Sequence, residues 1–284
     1  MSRPFVLCAD DYGLTPGVDA AILDLCARGR LSAVSALVTA PSWRADAAAL
    51  RAAAGSAVEV GLHLAFTEFS PLTGGASLAP AGRPRGQAGV MAAALLRMLG
   101  PGDIAREIER QIAAFADAMG RLPDFVDGHQ HVHQFPRIDA AVVAALAART
   151  PGWRPWLRVC ADSFGSIRRR GHGLVAAFTA AAMGRGLRRR ARARGIPVNE
   201  GISGFYDVRA AASYARIFPA FLRAMGPRHL VVCHPGRCAN DAERARPWMA
   251  CREHEYAYLA GADFPALCAR EGVRVARFGE IAAV

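Results

Sequence analysis

The sequence predicts an α/β fold, a single distorted (β/α) barrel of seven or eight parallel strands, on three observations. Short apolar runs of β character alternate with alanine-rich stretches of helical period, the pattern of parallel strands joined by right-handed crossovers. The 284 residues suit one barrel, and seven or eight such units favour it over an open doubly wound sheet. Ionisable residues gather where the apolar runs end, and in a parallel barrel those ends share one face.

Taken in order, the first strand is residues 5–10, an apolar run stopped by Asp10 and Asp11, and a helix at 18–28 follows. Strands at 33–39 and 58–66 come next, the second holding His63 between leucines. Residues 67–102 are rich in Gly and Pro and read as a long excursion over the barrel mouth. A helix at 104–119, with apolar residues at helical spacing, leads to a strand at 124–132, a helix at 138–148 and a strand at 156–161. Strands at 201–207, 229–234 and 273–278 complete the set, with a helix at 214–225. A second excursion, 235–253, follows His234 and carries Arg237, Asn240, Asp241 and Trp248. No repeat or linker marks a boundary, so residues 1–284 are expected to form one domain.

Composition narrows the class. Hydrophobic residues make up 52% of the chain, enough for a folded core. No apolar run is long enough to span a bilayer, and the stretch at 5–9 is too short for a secretory segment, so the expected location is cytoplasmic. Seven scattered cysteines without a C-x-x-C pair suit free thiols in a reducing compartment. Cys233, Cys238, Cys251 and His254 match no common zinc spacing and read as unrelated buried thiols. The net charge of +11 comes wholly from arginine, much of it at 168–170 and 185–194. Without interleaved aromatics or a DNA-reading motif, this cluster reads as a solvated helix face. Docking of an anionic or lipid-linked substrate on 185–194 is the alternative.

Four motifs put ionisable groups at strand ends: VLCADDYG, VGLHL, DGHQHVH and VVCHPG. Adjacent carboxylates such as Asp10 and Asp11 repel unless a cation or proton lies between them. His129, His131 and His133 stand at alternate positions, and an extended strand would turn all three to one face. His129 and His133 also form H-x-x-x-H, which brings two rings together on a helical turn; in an extended strand their Cα atoms lie roughly 13 Å apart. Carboxylates with histidines suit a divalent cation keeping a position open for water, and hence hydrolysis of an acyl bond. No G-x-S-x-G elbow, P-loop or G-x-G-x-x-G accompanies them. Another metal-dependent hydrolase, a phosphoesterase or amidohydrolase, or a basic nucleic-acid or membrane-surface protein, is the competing reading.

The set ADDYG, GLHL, DGHQHVHQFP, GFYD and CHPG, in that order over residues 8 to about 236, resembles the YdjC-like carbohydrate deacetylases. That group includes chitooligosaccharide deacetylase and the hopanoid-associated deacetylases. The resemblance implies a barrel of the glycoside hydrolase and deacetylase type, one divalent metal ion, magnesium or zinc, and an N-acetylated sugar as substrate. Carried over by motif, Asp11, His63 and His129 would hold the metal, Asp10 would be the general base and His234 the general acid. His131, His133, Tyr12 and Arg237 would touch the sugar or support the ligands.

Overall fold

The computed structural model describes residues 2–148, 152–207 and 214–281. The architecture is set by β1 (Arg3–Tyr12), which pairs with three parallel strands. Its even-numbered side meets β7 (Leu230–Cys233), with Val6 paired to Leu230 and Ala9 to Cys233. The other edge is shared: Arg3 to Phe5 pair with β8 (Val273–Val275), and beyond them Cys8 to Tyr12 pair with β2 (Ala33–Ala36). The hydrogen bonds alternate accordingly, Val6 N–H reaching His229 while the Phe5 and Leu7 carbonyls accept from Ala276 and Ser32.

From β2 the sheet continues through β3 (Glu59–Leu64), β4 (Phe125–Gly128) and β5 (Trp156–Leu157), and from β7 to β6 (Ile202–Ser203). The sheet curls until its two ends meet. A single parallel bridge, Leu157 to Val198, joins them, and the Asn199 amide fills the rest of the seam by bonding to both backbone groups of Val159. A distorted barrel of seven strands results, with β8 laid beside the start of β1.

Along β1 the alternation of a strand divides the core. Val6 and Cys8 face the barrel interior with Phe125, Trp156 and Leu230, whereas Phe5, Leu7 and Ala9 face the helices. The floor is a stack of Phe125 on Trp156 at 4.2 Å and Trp156 on Phe278 at 4.7 Å. Gly61 makes this possible, because a Cβ there would stand 2.4 Å from the Phe125 ring.

The helices are α1 (Pro16–Ala27), α2 (Trp43–Ala54), α3 (Gln87–Leu95), α4 (Pro101–Met119), α5 (Ile138–Ala148), α6 (Phe164–Arg170), α7 (Leu174–Ala193), α8 (Tyr214–Phe221), α9 (Asp241–Arg244), α10 (Met249–Ala260) and α11 (Asp263–Arg270). In α4, proline opens the first turn, Gly120 closes it in the left-handed region, and Ile104, Ile108, Ile112 and Phe115 bury one stripe. Each such side chain contributes about 2 kcal/mol of burial. Two polar residues of α4 are buried as well. Gln111 bonds both backbone groups of Ala65, and Glu107 accepts from Leu72 and Thr73, which pins the start of the 67–102 excursion. No helix among the described residues is long and apolar enough to cross a membrane.

Several expected boundaries shift. The strand expected over 124–132 stops at Gly128, and His129–Gln134 forms a 3-10 turn in which Gln130 and His131 adopt φ of 53° and 60°. A Cβ on Gly128 would meet the His133 ring at 2.7 Å, so glycine permits the chain to double back there. Both excursions hold helices, α3 in the first and α9 with the start of α10 in the second.

Candidate active site

Every strand end named by the sequence reading reaches one cavity of about 330 Å³ at the C-terminal face of the barrel. Asp10 continues the inward series of Val6 and Cys8. Its neighbour should point the other way, but β1 breaks register between Ala9 and Tyr12 and Asp11 takes φ of 73°. This bulge turns both carboxylates into the cavity, where each is 2% exposed. A left-handed backbone costs an aspartate about 1 kcal/mol or more, so the packing around it must hold it there.

Asp11 is the hub. Its Oδ1 lies 2.8 Å from His129 Nδ1 and 3.3 Å from His63 Nε2, and its Oδ2 accepts from the buried Arg252. The two rings stand edge to face with centroids 5.5 Å apart. His63 is oriented from behind: Nδ1 donates to Asp127 at 2.6 Å, and the Ser35 hydroxyl donates to the same oxygen. That bond fixes the ring so that Nε2 faces Asp11. His129 Nε2 is 3.3 Å from Glu68 and has no hydrogen-bond partner among the described residues.

Asp10 meets a different partner. Arg158, wholly buried, grips it with two bonds of 2.6 and 2.9 Å and places its Nε 3.1 Å from Asp127. His234 stands across the cavity, its Nε2 3.8 Å from Asp10, with its backbone N–H bonded to the buried Glu255.

The electrostatics follow from these contacts. Burial alone would raise the Asp10 carboxyl, but Arg158 and then His63 outweigh it and hold the group well below the usual range. Asp11 is lowered in the same way, burial being overcome by Arg252 and His129. Burial opposes charge on the imidazoles too, yet Asp127 and Asp10 push His63 up to about 9, and Asp11 pushes His129 up to about 10. The cluster therefore carries an excess of negative charge that protons or a cation must balance.

Asp11, His63 and His129 offer ligand atoms that all lie within 4.8 Å of one another. Cys8, Asp10 and Asp127 do so as well, but there the Arg158 guanidinium already serves as the cation. Among the described residues, Cys233, Cys238, Cys251 and His254 form no such group.

The histidine row does not share a face. His129 joins Asp11, and His131 lines the cavity edge-on to Phe205 at 5.5 Å. Burial followed by Arg158 pushes His131 down to about 3. His133 turns away, fully buried, and its Nε2 donates to the Arg158 carbonyl at 2.9 Å. Two further expectations are corrected by position. Tyr12 sits in the core with its hydroxyl on the Asp46 carbonyl, because the bulge sends it outward. Arg237 is exposed, stacked 5.4 Å over Tyr256, and does not line the cavity. Arg158, Asp127, Glu68, Arg252 and Trp248 join the site although the sequence alone gives them no role. Arg158 had a signal, a lone arginine inside the apolar run WLRVC.

A larger cavity of about 490 Å³ opens at the other end of the barrel, around Glu59, Trp153 and Arg228, but it brings together none of this chemistry.

The model of the YdjC-like protein family matches residues 4–270. The chain belongs to that family. Similar proteins include the human carbohydrate deacetylase, 33% identical over 156 residues, covering 52% of this chain and 47% of that one. The chitooligosaccharide deacetylase of Escherichia fergusonii is 32% identical over 153 residues, covering 52% and 57%. The chain thus matches about half the length of these relatives. Among solved structures, an Enterococcus faecalis V583 protein named for cellobiose-phosphate cleavage superposes with a TM-score of 0.75 over the full length of both chains at 19% identity, a likeness of fold.

Proposed function

We propose that this YdjC-like chain is a metal-dependent carbohydrate deacetylase that hydrolyses the acetamide of an N-acetylated amino sugar. The observation that carries the reading is the buried meeting of Asp11, His63 and His129 beside Asp10 and His234. The names of the similar deacetylases support the substrate class.

The residues fit a divalent cation, magnesium or zinc. One carboxylate and two imidazoles converge, His63 is held by Asp127 so that Nε2 faces Asp11, and His129 keeps a buried nitrogen without a hydrogen bond among the described residues. When bound, such an ion would polarise the acetyl carbonyl and acidify a water enough for a weak base to deprotonate it. Asp10 is that base: it accepts the water's proton while Arg158 holds its carboxylate in place. His234, on the open side of the cavity, gives a proton to the leaving amine. The Trp248 indole lines the same cavity, with the Arg252 and Arg246 guanidiniums 4.8 and 5.4 Å over its ring. Acetate and the free amino sugar result. We place the chemistry in one domain, in a reducing compartment such as the cytoplasm, which suits seven free thiols.

The test is acetate release from a panel of N-acetylated amino sugars, free and lipid-linked, before and after chelation, with magnesium and zinc added back. Release that is lost on chelation and restored by one of the ions is expected. Chelation-insensitive release, or none from any member of the panel, would refute the reading.

A further inference from the structure

The exposed apolar side chains are not scattered. All seven large ones among the described residues lie in the two segments that leave the C-terminal ends of β3 and β5, the end that carries the cavity. The first group, Leu95, Leu96 and Met98, closes α3, with Leu96 at 70% exposure. Through Gln87, α3 is bonded to the Gln130 carbonyl on the rim of the site. The second group, Phe164, Leu174 and Val175, lies at the starts of α6 and α7, with Val175 at 83% and Phe164 at 53%. The residue after Val175 is Ala176, which lines a pocket of about 220 Å³ shared with His234, Trp248 and Arg252. At the tip of α3, Arg137, just past the His129–Gln134 turn, donates to the Arg97 and Leu99 carbonyls, so both groups belong to segments that border the site.

Arginines accompany each group. Arg97 is exposed between Leu96 and Met98, exposed Arg168 and Arg169 lie on α6, and Arg185 stacks 4.5 Å over the Phe164 ring. Toward the far end of α7, Arg188 bonds to Ala161, Arg190 pairs with Asp139 and Arg192 pairs with Glu200. Clustered apolar tips of this exposure are uncommon on a surface that meets only water. Apolar tips ringed by guanidinium groups match an anionic bilayer, whose acyl boundary takes the former and whose headgroups pair the latter.

We infer that the rim formed by the tip of α3 and the starts of α6 and α7 docks the protein on an anionic membrane surface, mouth toward the lipid. The contact is peripheral and needs no assumption about the reaction, so it stands or falls separately from the deacetylase reading.

The experiment is co-sedimentation of the full chain with vesicles of phosphatidylcholine alone and of phosphatidylcholine mixed with phosphatidylglycerol, at low and high salt. Binding to the mixed vesicles that weakens with salt is expected. Exchanging both Arg168 and Arg169 for glutamine should weaken it by roughly thirtyfold. Leu96→Asp or Val175→Asp should each weaken it by roughly tenfold, because exposed tips that insert no longer can. All three variants should keep the parent's melting temperature. No binding to the mixed vesicles, equal binding to neutral ones, or unchanged affinity in either class of variant would overturn the inference. So would concentration-dependent self-association that Val175→Asp abolishes, since the rim would then belong to a second copy of the chain.

Discussion

Replacing Arg158 by methionine tests the electrostatics of the site most directly. The guanidinium is wholly buried, makes two bonds to Asp10 at 2.6 and 2.9 Å, and lies 3.1 Å from Asp127. Methionine fills similar volume but leaves two carboxylates in a dry interior without their cation. Breaking one side of a buried pair costs about 3–5 kcal/mol. For a chain of this size that corresponds to a fall in melting temperature of about 10 °C. Asp10 would respond as well. With Arg158 gone, burial dominates and raises its carboxyl, so the base becomes protonated at a higher pH. The acid limb of kcat/KM against pH should move upward, and Arg158→Lys should fall between the two, since an ammonium cannot form the paired contact. Calorimetry and a pH–rate profile give both readouts. A variant melting within about 2 °C of the parent, with its acid limb unmoved, would refute this account of Asp10.

Three other outcomes follow from the same geometry. Asp11→Asn and His129→Ala should each lose bound metal and acetate release together while keeping the far-ultraviolet circular dichroism of the parent, and full metal content in both purified proteins would contradict the ligand assignment. His234→Gln should lower kcat by about 10²- to 10⁴-fold and leave KM within a few-fold, as loss of a proton donor requires; a change confined to KM would make it a binding residue instead. Asp19, buried on α1 and accepting from the Gly13 N–H, is raised to about 7, by burial first and then by Asp46 and Glu243 against that hydrogen bond. A carboxyl raised on folding gives stability that is complete below about pH 4 and lost as pH rises through 7. Asp19→Asn should therefore match the parent near pH 4 and exceed it at pH 8, by roughly 4 kcal/mol at most, in urea melts; equal stability at both would argue against a raised Asp19.

The parts of the site that were legible in the sequence are those fixed by position along a strand. Asp10, Asp11, His63, His129 and His234 each stand where an apolar run stops, and a parallel barrel gathers such ends whatever the loops do. What escaped depends on backbone events that a period of two cannot encode. The alternate spacing of His129, His131 and His133 implied one face, but Gly128 lets the chain fold back into a turn, and the three rings part company. Tyr12 was drawn toward the site by its neighbours, and the bulge beside it sends it to the core. Asp127 and Ser35 act through His63, from neighbouring strands whose pairing only the folded sheet reveals. The short β5 and β6 were visible as apolar runs, yet the seam between them rests on the side chain of Asn199.

The pairing of β1 bears on how the chain is made. Val6 needs Leu230 beside it, and Arg3 needs Val273, so β1 leaves the ribosome well before the strands that complete it. Until those residues emerge, the nascent chain holds an apolar strand with one edge open, in which Asp10 and Asp11 lack the arginines that later neutralise them. Assembly with contacts so distant in sequence is slow and exposed to aggregation, and a chaperone that shields β1 during synthesis would raise the yield of active protein more than one acting on the finished fold.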